Sequence, residues 1–239
     1  MKKNAVGPAT STVEDYLKCI LVREQRVDDG PVPMGEIAAA LDVAPGTVTA
    51  MMKALAESAL VTYEPYSGVR LTVSGRALAT HVLRRHRLIE QFLVEVMGLD
   101  WSEVHAEAER LEHAVSNRLI ERIDEMLGRP SVDPHGDPIP DAHGVLPEQN
   151  LTSLVTCEIG ARVRIVRVRD QSTDFLRHLD RGGLLPGVEI TVVDRNEAAD
   201  TLELDVDGRA QPLSLGLRAG AKILVERVDA DPVDADRVG

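Results

Sequence analysis

The sequence predicts a mainly α chain with a small β domain. It has an N-terminal helix-turn-helix with a β wing, a helical middle and a C-terminal barrel of short strands. Three observations lead there. Two short helical segments joined by a tight turn precede a hairpin over 60–72. Helical periodicity then runs from Ser74 to about Gly128. Beyond a stretch with five prolines, the apolar period changes from that of a helix to that of strands.

The elements follow in order. Val13, Tyr16, Leu17, Ile20 and Leu21 recur at helical spacing over 12–27, with Ser11 or Thr12 as cap and Asp28-Asp29-Gly30-Pro31 as stop. MGEIAAAL (34–41) and TVTAMMKALAESAL (47–60) flank a turn at 42–46, and Ile37, Leu41, Val48, Met52 and Leu55 can share one core. LVTYEPYSGVRLT (60–72) reads as strand, turn at Tyr66-Ser67-Gly68 and return strand, which completes a winged-helix pattern. Ser74 caps a long helix to Met97, Gly98-Leu99-Asp100 breaks it, and helices follow over 102–111 and 116–127. Prolines 130, 134, 138, 140 and 147 mark an extended linker. Strands are expected at 162–168, 188–194, 201–208 and 222–228, with a helix at 172–180. The domain boundaries expected are 1–73 for the winged helix, 74–130 for the helical middle, 131–154 for the linker and 155–230 for the barrel.

Composition narrows the function. Hydrophobic residues make up 44% of the 239 positions but aromatics only 3%, so the cores rest on aliphatic side chains. No apolar run approaches the ~20 residues of a membrane helix. The start lacks the apolar core of a secretory signal and reads as a short tail, and the region beyond Asp229 as an acidic one. Cys19 and Cys157 form no CxxC unit, which fits a reducing cytoplasm. The net charge of −12 sits mostly outside residues 1–80, which carry 8 basic and 9 acidic residues. Nucleic acid can therefore be met at that end, more readily when a divalent ion neutralises some of the acidity.

HAEAERLEH (105–113) carries the chemistry. At helical spacing His105, Glu109, Glu112 and His113 share one face. Two carboxylates and two imidazoles on one stripe repel unless a cation uses them as ligands. The preceding helix adds His86 and Glu90 at i, i+4. Imidazole and carboxylate without thiolate favour manganese, ferrous iron or zinc.

Taken together, STVEDYL (11–17), the winged helix, RRHRLIEQFL (84–93), HAEAERLEH, the linker DPHGDPIP (133–140) and the terminal β segments resemble the diphtheria toxin repressor family of metalloregulators. The likeness runs from Thr12 to about Val228. It implies a homodimer joined through the helical region, double-stranded operator DNA as partner and a C-terminal SH3-like domain. It implies a primary metal site of Asp15, Glu109, Glu112 and His113. A second would use His86, Glu90 and His105, with Gln171 and Asp174 from the C-terminal domain; Asp170 and His178 are the other candidates there. The iron branch has methionine and cysteine sulfur where this chain has Asp15 and Glu109, so hard oxygen favours Mn(II), with Fe(II) as alternative. The manganese branch often has an acid one turn after the first Asp, and here Lys18 stands there. Its ammonium cannot ligate, which implies one ion at each site, about two per subunit.

The recognition helix would present Ala44, Pro45, Gly46, Thr47, Thr49, Ala50 and Lys53 to the major groove, with Ser67 and Arg70 of the wing at the backbone. Ala44, Gly46 and Ala50 offer no side-chain hydrogen bond to bases, so readout falls on apolar contact and DNA shape. The sequence thus points to a non-enzymatic, cytoplasmic, manganese-dependent repressor of metal-ion homeostasis genes, without membrane span or small-molecule substrate. The alternatives are an iron-dependent repressor and, remotely, a metal-dependent hydrolase on a helical scaffold.

Overall fold

A computed structural model describes residues 10–25, 30–147 and 149–228. The expectations for residues 1–9, for Asp28 and Asp29 and for the tail beyond Asp229 lie outside them. The chain divides into two compact units. The first holds 1–89, 109–123 and 139–146, and the second 90–108, 124–138 and 147–239.

In the first unit, α1 (Ser11–Glu24) is capped by Thr10, whose hydroxyl accepts from Val13 N at 3.4 Å. The cap expected at Ser11 or Thr12 thus moves back by one or two residues. Leu17, Ile20 and Leu21 are fully buried, each contributing about 1.5–3 kcal/mol of burial. They meet Ile37 of α2 (Met34–Ala40) and Val48, Met52 and Leu55 of α3 (Pro45–Glu57) in one core. Pro45 opens α3, where its missing N–H costs no helical bond. The wing is an antiparallel pair, β1 (Val61–Glu64) and β2 (Gly68–Leu71). Glu24 of α1 ties it down, accepting from Leu71 N at 2.8 Å and pairing with Arg76 at 2.5 Å. The first unit also takes in 73–89 of α4 (Val73–Glu95), 109–111 of α5 (Val104–Leu111) and 117–123 of α6 (Asn117–Met126), the rest of each belonging to the second.

The second unit is built on a six-stranded antiparallel sheet. Its strands are β3 (Thr152–Ser153), β4 (Arg162–Val168), β5 (Glu189–Asn196), β6 (Thr201–Val206), β7 (Leu213–Gly216) and β8 (Ile223–Arg227), in the order β3-β8-β4-β5-β6-β7. β3 and β7 are short strands absent from the pattern, since two to four residues are too few to show alternation. α7 (Thr173–Gly182) covers the core, and α8 (Leu217–Gly220) is a single turn. A bulge after Ile165 turns Val168 inward, and one after Val192 leaves Val193 outside.

The proline-rich stretch is not a loose spacer. Residues 133–138 are mostly buried. Asp133 N donates to Asp137 O at 3.0 Å, and Val168 N to His135 O at 2.9 Å. Gly136 lies at φ +83, and a Cβ there would stand 1.8 Å from Val166 O. Only glycine lets this hairpin reach β4.

At the head of α4, a Cβ on Gly75 would stand 1.9 Å from Leu60 O, whereas one on Gly46 meets nothing within 4 Å. Gly75→Ala is expected to lower unfolding stability by about 1–3 kcal/mol, with Gly46→Ala neutral or mildly stabilising. Denaturant midpoints check this; equal midpoints for the two variants would contradict the packing at Leu60.

Candidate metal centre

The first cluster lies in the first unit. α1 carries Glu14, Asp15 and Lys18 on one side, because these positions are three to four residues apart. α4 carries Arg85 and His86, and Glu109 stands on α5. α5 ends at Leu111, so Glu112 and His113 sit in the turn beyond it. The expected single helical stripe is corrected there: the turn, rather than the helix period, aims these two side chains.

His113 is held on both nitrogens, Nδ1 by Glu14 Oε2 at 2.6 Å and Nε2 by Asp15 Oδ1 at 2.8 Å. Carboxylates only accept, so both nitrogens donate and the ring is an imidazolium. Burial disfavours that charge, but Glu14, Glu112 and Asp15 outweigh it and the His113 pKa is raised. Burial raises the Asp15 carboxyl, with His113 and Lys18 opposing. Glu112 is fully buried. Burial pushes its carboxyl up, yet His86 Nδ1 at 2.6 Å and Lys18 bring it below the usual range. Lys18, 8% exposed, places Nζ 2.7 Å from Glu109 Oε1 and 2.7 and 2.9 Å from the two oxygens of Glu112. Arg85 donates to Glu112 O at 3.1 Å and pairs with Glu14 at 3.3 Å. Asp15, Glu112 and His113 each bring one ligand atom within 4.8 Å of the others.

The second cluster lies in the second unit. Glu90, Asp133 and His135 are all buried, with one ligand atom each within 4.8 Å of the others. His105 adds Nδ1 at 3.0 Å from Glu90 Oε1. Asp133 Oδ1 accepts from the backbone N–H groups of His135 and Asp137, both at 2.9 Å, which shapes the hairpin. His135 is fully buried, and its Nε2 lies 2.8 Å from the Trp101 carbonyl. A carbonyl only accepts, so Nε2 carries the proton and the neutral ring keeps its lone pair on Nδ1. Burial depresses the His135 pKa, which keeps the ring neutral. Nδ1 makes no hydrogen bond among the described residues. A buried imidazole lone pair beside two carboxylates is a donor set that suits a divalent ion.

Comparison with known proteins bears on both clusters. Residues 9–69 match the family described as "Iron dependent repressor, N-terminal DNA binding domain". Residues 72–141 match "Iron dependent repressor, metal binding and dimerisation domain", and 152–227 match "FeoA domain". Iron-dependent repressor IdeR of Mycobacterium tuberculosis is 36% identical over 195 residues, covering 76% of this chain and 83% of IdeR. Diphtheria toxin repressor of Corynebacterium diphtheriae is 32% identical over 197 residues, covering 77% and 85%. The chain belongs to the diphtheria toxin repressor family. A solved manganese-dependent transcriptional repressor in complex with manganese is 38% identical with TM-score 0.83, covering 90% of this chain and all of that one. ScaR with bound Cd2+ is 35% identical with TM-score 0.75, covering 90% and 99%. The winged helix, the helical middle and the SH3-like C-terminal domain are thus those of the family.

The residues that the family resemblance singled out fall unevenly. Asp15, Glu109, Glu112 and His113 come together, Glu109 through Lys18. His86 is engaged with Glu112, and Glu90 and His105 with each other. Gln171 donates its amide to Asp137 Oδ2 at 2.7 Å, and Asp174 lies in the first turn of α7. Neither belongs to a metal-capable group among the described residues. Glu14, Asp133 and His135 had no such mark in the sequence. Glu14 lies in the first turn of α1, and the other two fall in the stretch expected as linker. An Asp and a His two apart, in a segment with no helical role, were the available signal.

On the candidate DNA face, Ala44, Pro45, Gly46, Thr47, Ala50 and Lys53 are exposed, and Thr49 donates its hydroxyl to Pro45 O at 3.0 Å. Ser67 and Arg70 are exposed on the wing.

Because its folded pKa is raised, the His113 proton stabilises the metal-free fold. That contribution is complete below the ordinary value of 6.5 and is lost as pH rises through the elevated folded value. An NMR titration of His113 in chelated protein is expected to show a midpoint above 6.5; a midpoint at or below it would contradict the double carboxylate clamp.

Proposed function

We propose that this chain is a Mn(II)-responsive transcriptional repressor that binds double-stranded operator DNA as a homodimer. One observation carries the reading: Asp15, on the first helix of the DNA-binding segment, meets Glu112 and His113 beyond α5 in a single cluster of carboxylate and imidazole donors. Likeness to solved manganese-dependent repressors supports it. The carboxylate of Asp15 favours Mn(II) among the candidates, as does the absence of cysteine from the metal-capable groups among the described residues. The IdeR relatives favour Fe(II) as the second reading.

About two ions per subunit are expected. The first belongs to Asp15, Glu109, Glu112 and His113. The second centres on Glu90 with His105, Asp133 and His135. In this scheme His86 holds the Glu112 carboxylate in place, and Glu14 keeps its bond to His113 Nδ1 while Nε2 gives up its proton. Bound metal supplies a positive centre shared by donors from separate elements. α1 shares its core with α2 and α3, so fixing Asp15 also fixes the recognition helix. α3 then meets the groove through Ala44 to Lys53, and Ser67 and Arg70 meet phosphates. Exposed Leu119 and Met126 on α6 suit a helix that pairs with a second subunit.

Operator affinity measured by fluorescence anisotropy is expected to rise about 5–150-fold with Mn(II) over chelator. Glu112→Ala abolishes the rise, and His135→Ala reduces it while removing one ion from the count. Unchanged affinity under chelator would overturn the regulatory reading. A response to anaerobic Fe(II) but not to Mn(II) would move the chain to the iron branch.

A further inference from the structure

Lys18 is buried where a surface lysine would be expected. It lies on the buried side of α1, beside Leu17 and Leu21, and is only 8% exposed. Three N–H donors meet three carboxylate oxygens, Glu109 Oε1 at 2.7 Å and Glu112 Oε1 and Oε2 at 2.7 and 2.9 Å. Glu112 is fully buried, so its charge cannot turn to water and must be met by a cation from the protein or from solution. The ammonium now fills that role, with His86 Nδ1 also at 2.6 Å from Glu112 Oε2. The same oxygens belong to the proposed metal centre, and a divalent ion cannot share them with an ammonium at hydrogen-bond distance without strong like-charge repulsion.

We propose that Lys18 is a resident counter-cation that competes with the activating ion for Glu109 and Glu112, and so sets the metal concentration at which the protein responds. This rests on the metal reading of the first cluster. It goes beyond the inability of lysine to ligate. In the metal-free state Lys18 compensates the carboxylates, ties α1 to the turn after α5, and is expelled when an ion arrives. Metal thus replaces the Lys18 link from α1, and the Asp15–His113 hydrogen bond one turn earlier, by ligation through Asp15. Residue 18 is therefore a determinant of threshold and of single-ion occupancy, without being a ligand.

Two measurements test this. The sequence has five lysines, so ¹⁵N-lysine side-chain NMR of the intact protein is tractable. The chelated protein should show one slowly exchanging ammonium, absent in Lys18→Met, which disappears on saturation with Zn(II), a diamagnetic divalent probe. Calorimetric titration with Mn(II) should show Lys18→Met binding the first ion on the order of ten- to a hundredfold more tightly, since the competing charged hydrogen bonds are gone. The metal-free variant should also melt lower than the unaltered protein. Glu112→Ala serves as the control. If Glu112-dependent binding occurs but the Lys18 signal persists at saturation, the inference is overturned and the metal reading stands. Unchanged or weaker Mn(II) affinity in folded Lys18→Met overturns it in the same way. If the unaltered protein has no Glu112-dependent binding, both fall.

Discussion

The need to neutralise buried carboxylate charge governs the first unit. Glu14 and Asp15 enter from α1, Glu109 from α5 and Glu112 from the turn beyond it, and Glu112 has no route to solvent. Uncompensated, such a group would drive these elements apart. Lys18, Arg85, His86 and His113 supply the opposite charge. The same arrangement that makes the fold tolerable makes it sensitive to cations. A divalent ion offers the charge of an ammonium and an imidazolium together in less space. Because α1 shares one core with α2 and α3, whatever holds Asp15 and Lys18 also holds the recognition helix. Charge balance and the placement of α3 are thereby linked through one helix.

Much of this was legible in the sequence because it rests on periodicity. The apolar stripe of α1, the Val48–Met52–Leu55 spacing in α3 and the Tyr66-Ser67-Gly68 turn each have a local cause, and each element appears where its pattern lies. Helical spacing and family resemblance singled out Asp15, Glu109, Glu112 and His113, and the structure brings these side chains together. Spacing alone put His105, Glu109, Glu112 and His113 on one helical face. Glu112 and His113 lie past the end of α5, and a turn delivers them where a continued helix was expected.

What escaped was set by tertiary contact. Glu14 grips His113 from ninety-nine residues away in sequence, a pairing that no local period encodes. Asp133 and His135 looked like linker because prolines flank them, and prolines do exclude helix and central strand there. They do not exclude a buried hairpin. That hairpin exists because Gly136 lets the backbone touch β4 and because the Trp101 carbonyl receives His135 Nε2. The same carbonyl fixes which ring nitrogen keeps a lone pair, so a backbone group without any sequence signature prepares the donor. Gln171, a candidate through the family resemblance, has its amide engaged with Asp137.

The most direct measurement is manganese anomalous diffraction from crystals of the metal-loaded protein. The expected result is a peak enclosed by Asp15, Glu109, Glu112 and His113, with the Lys18 ammonium withdrawn from the two glutamates. Lys18 still bridging Glu109 and Glu112, with no anomalous peak among these residues, would contradict the claim that this charge cluster is the metal switch.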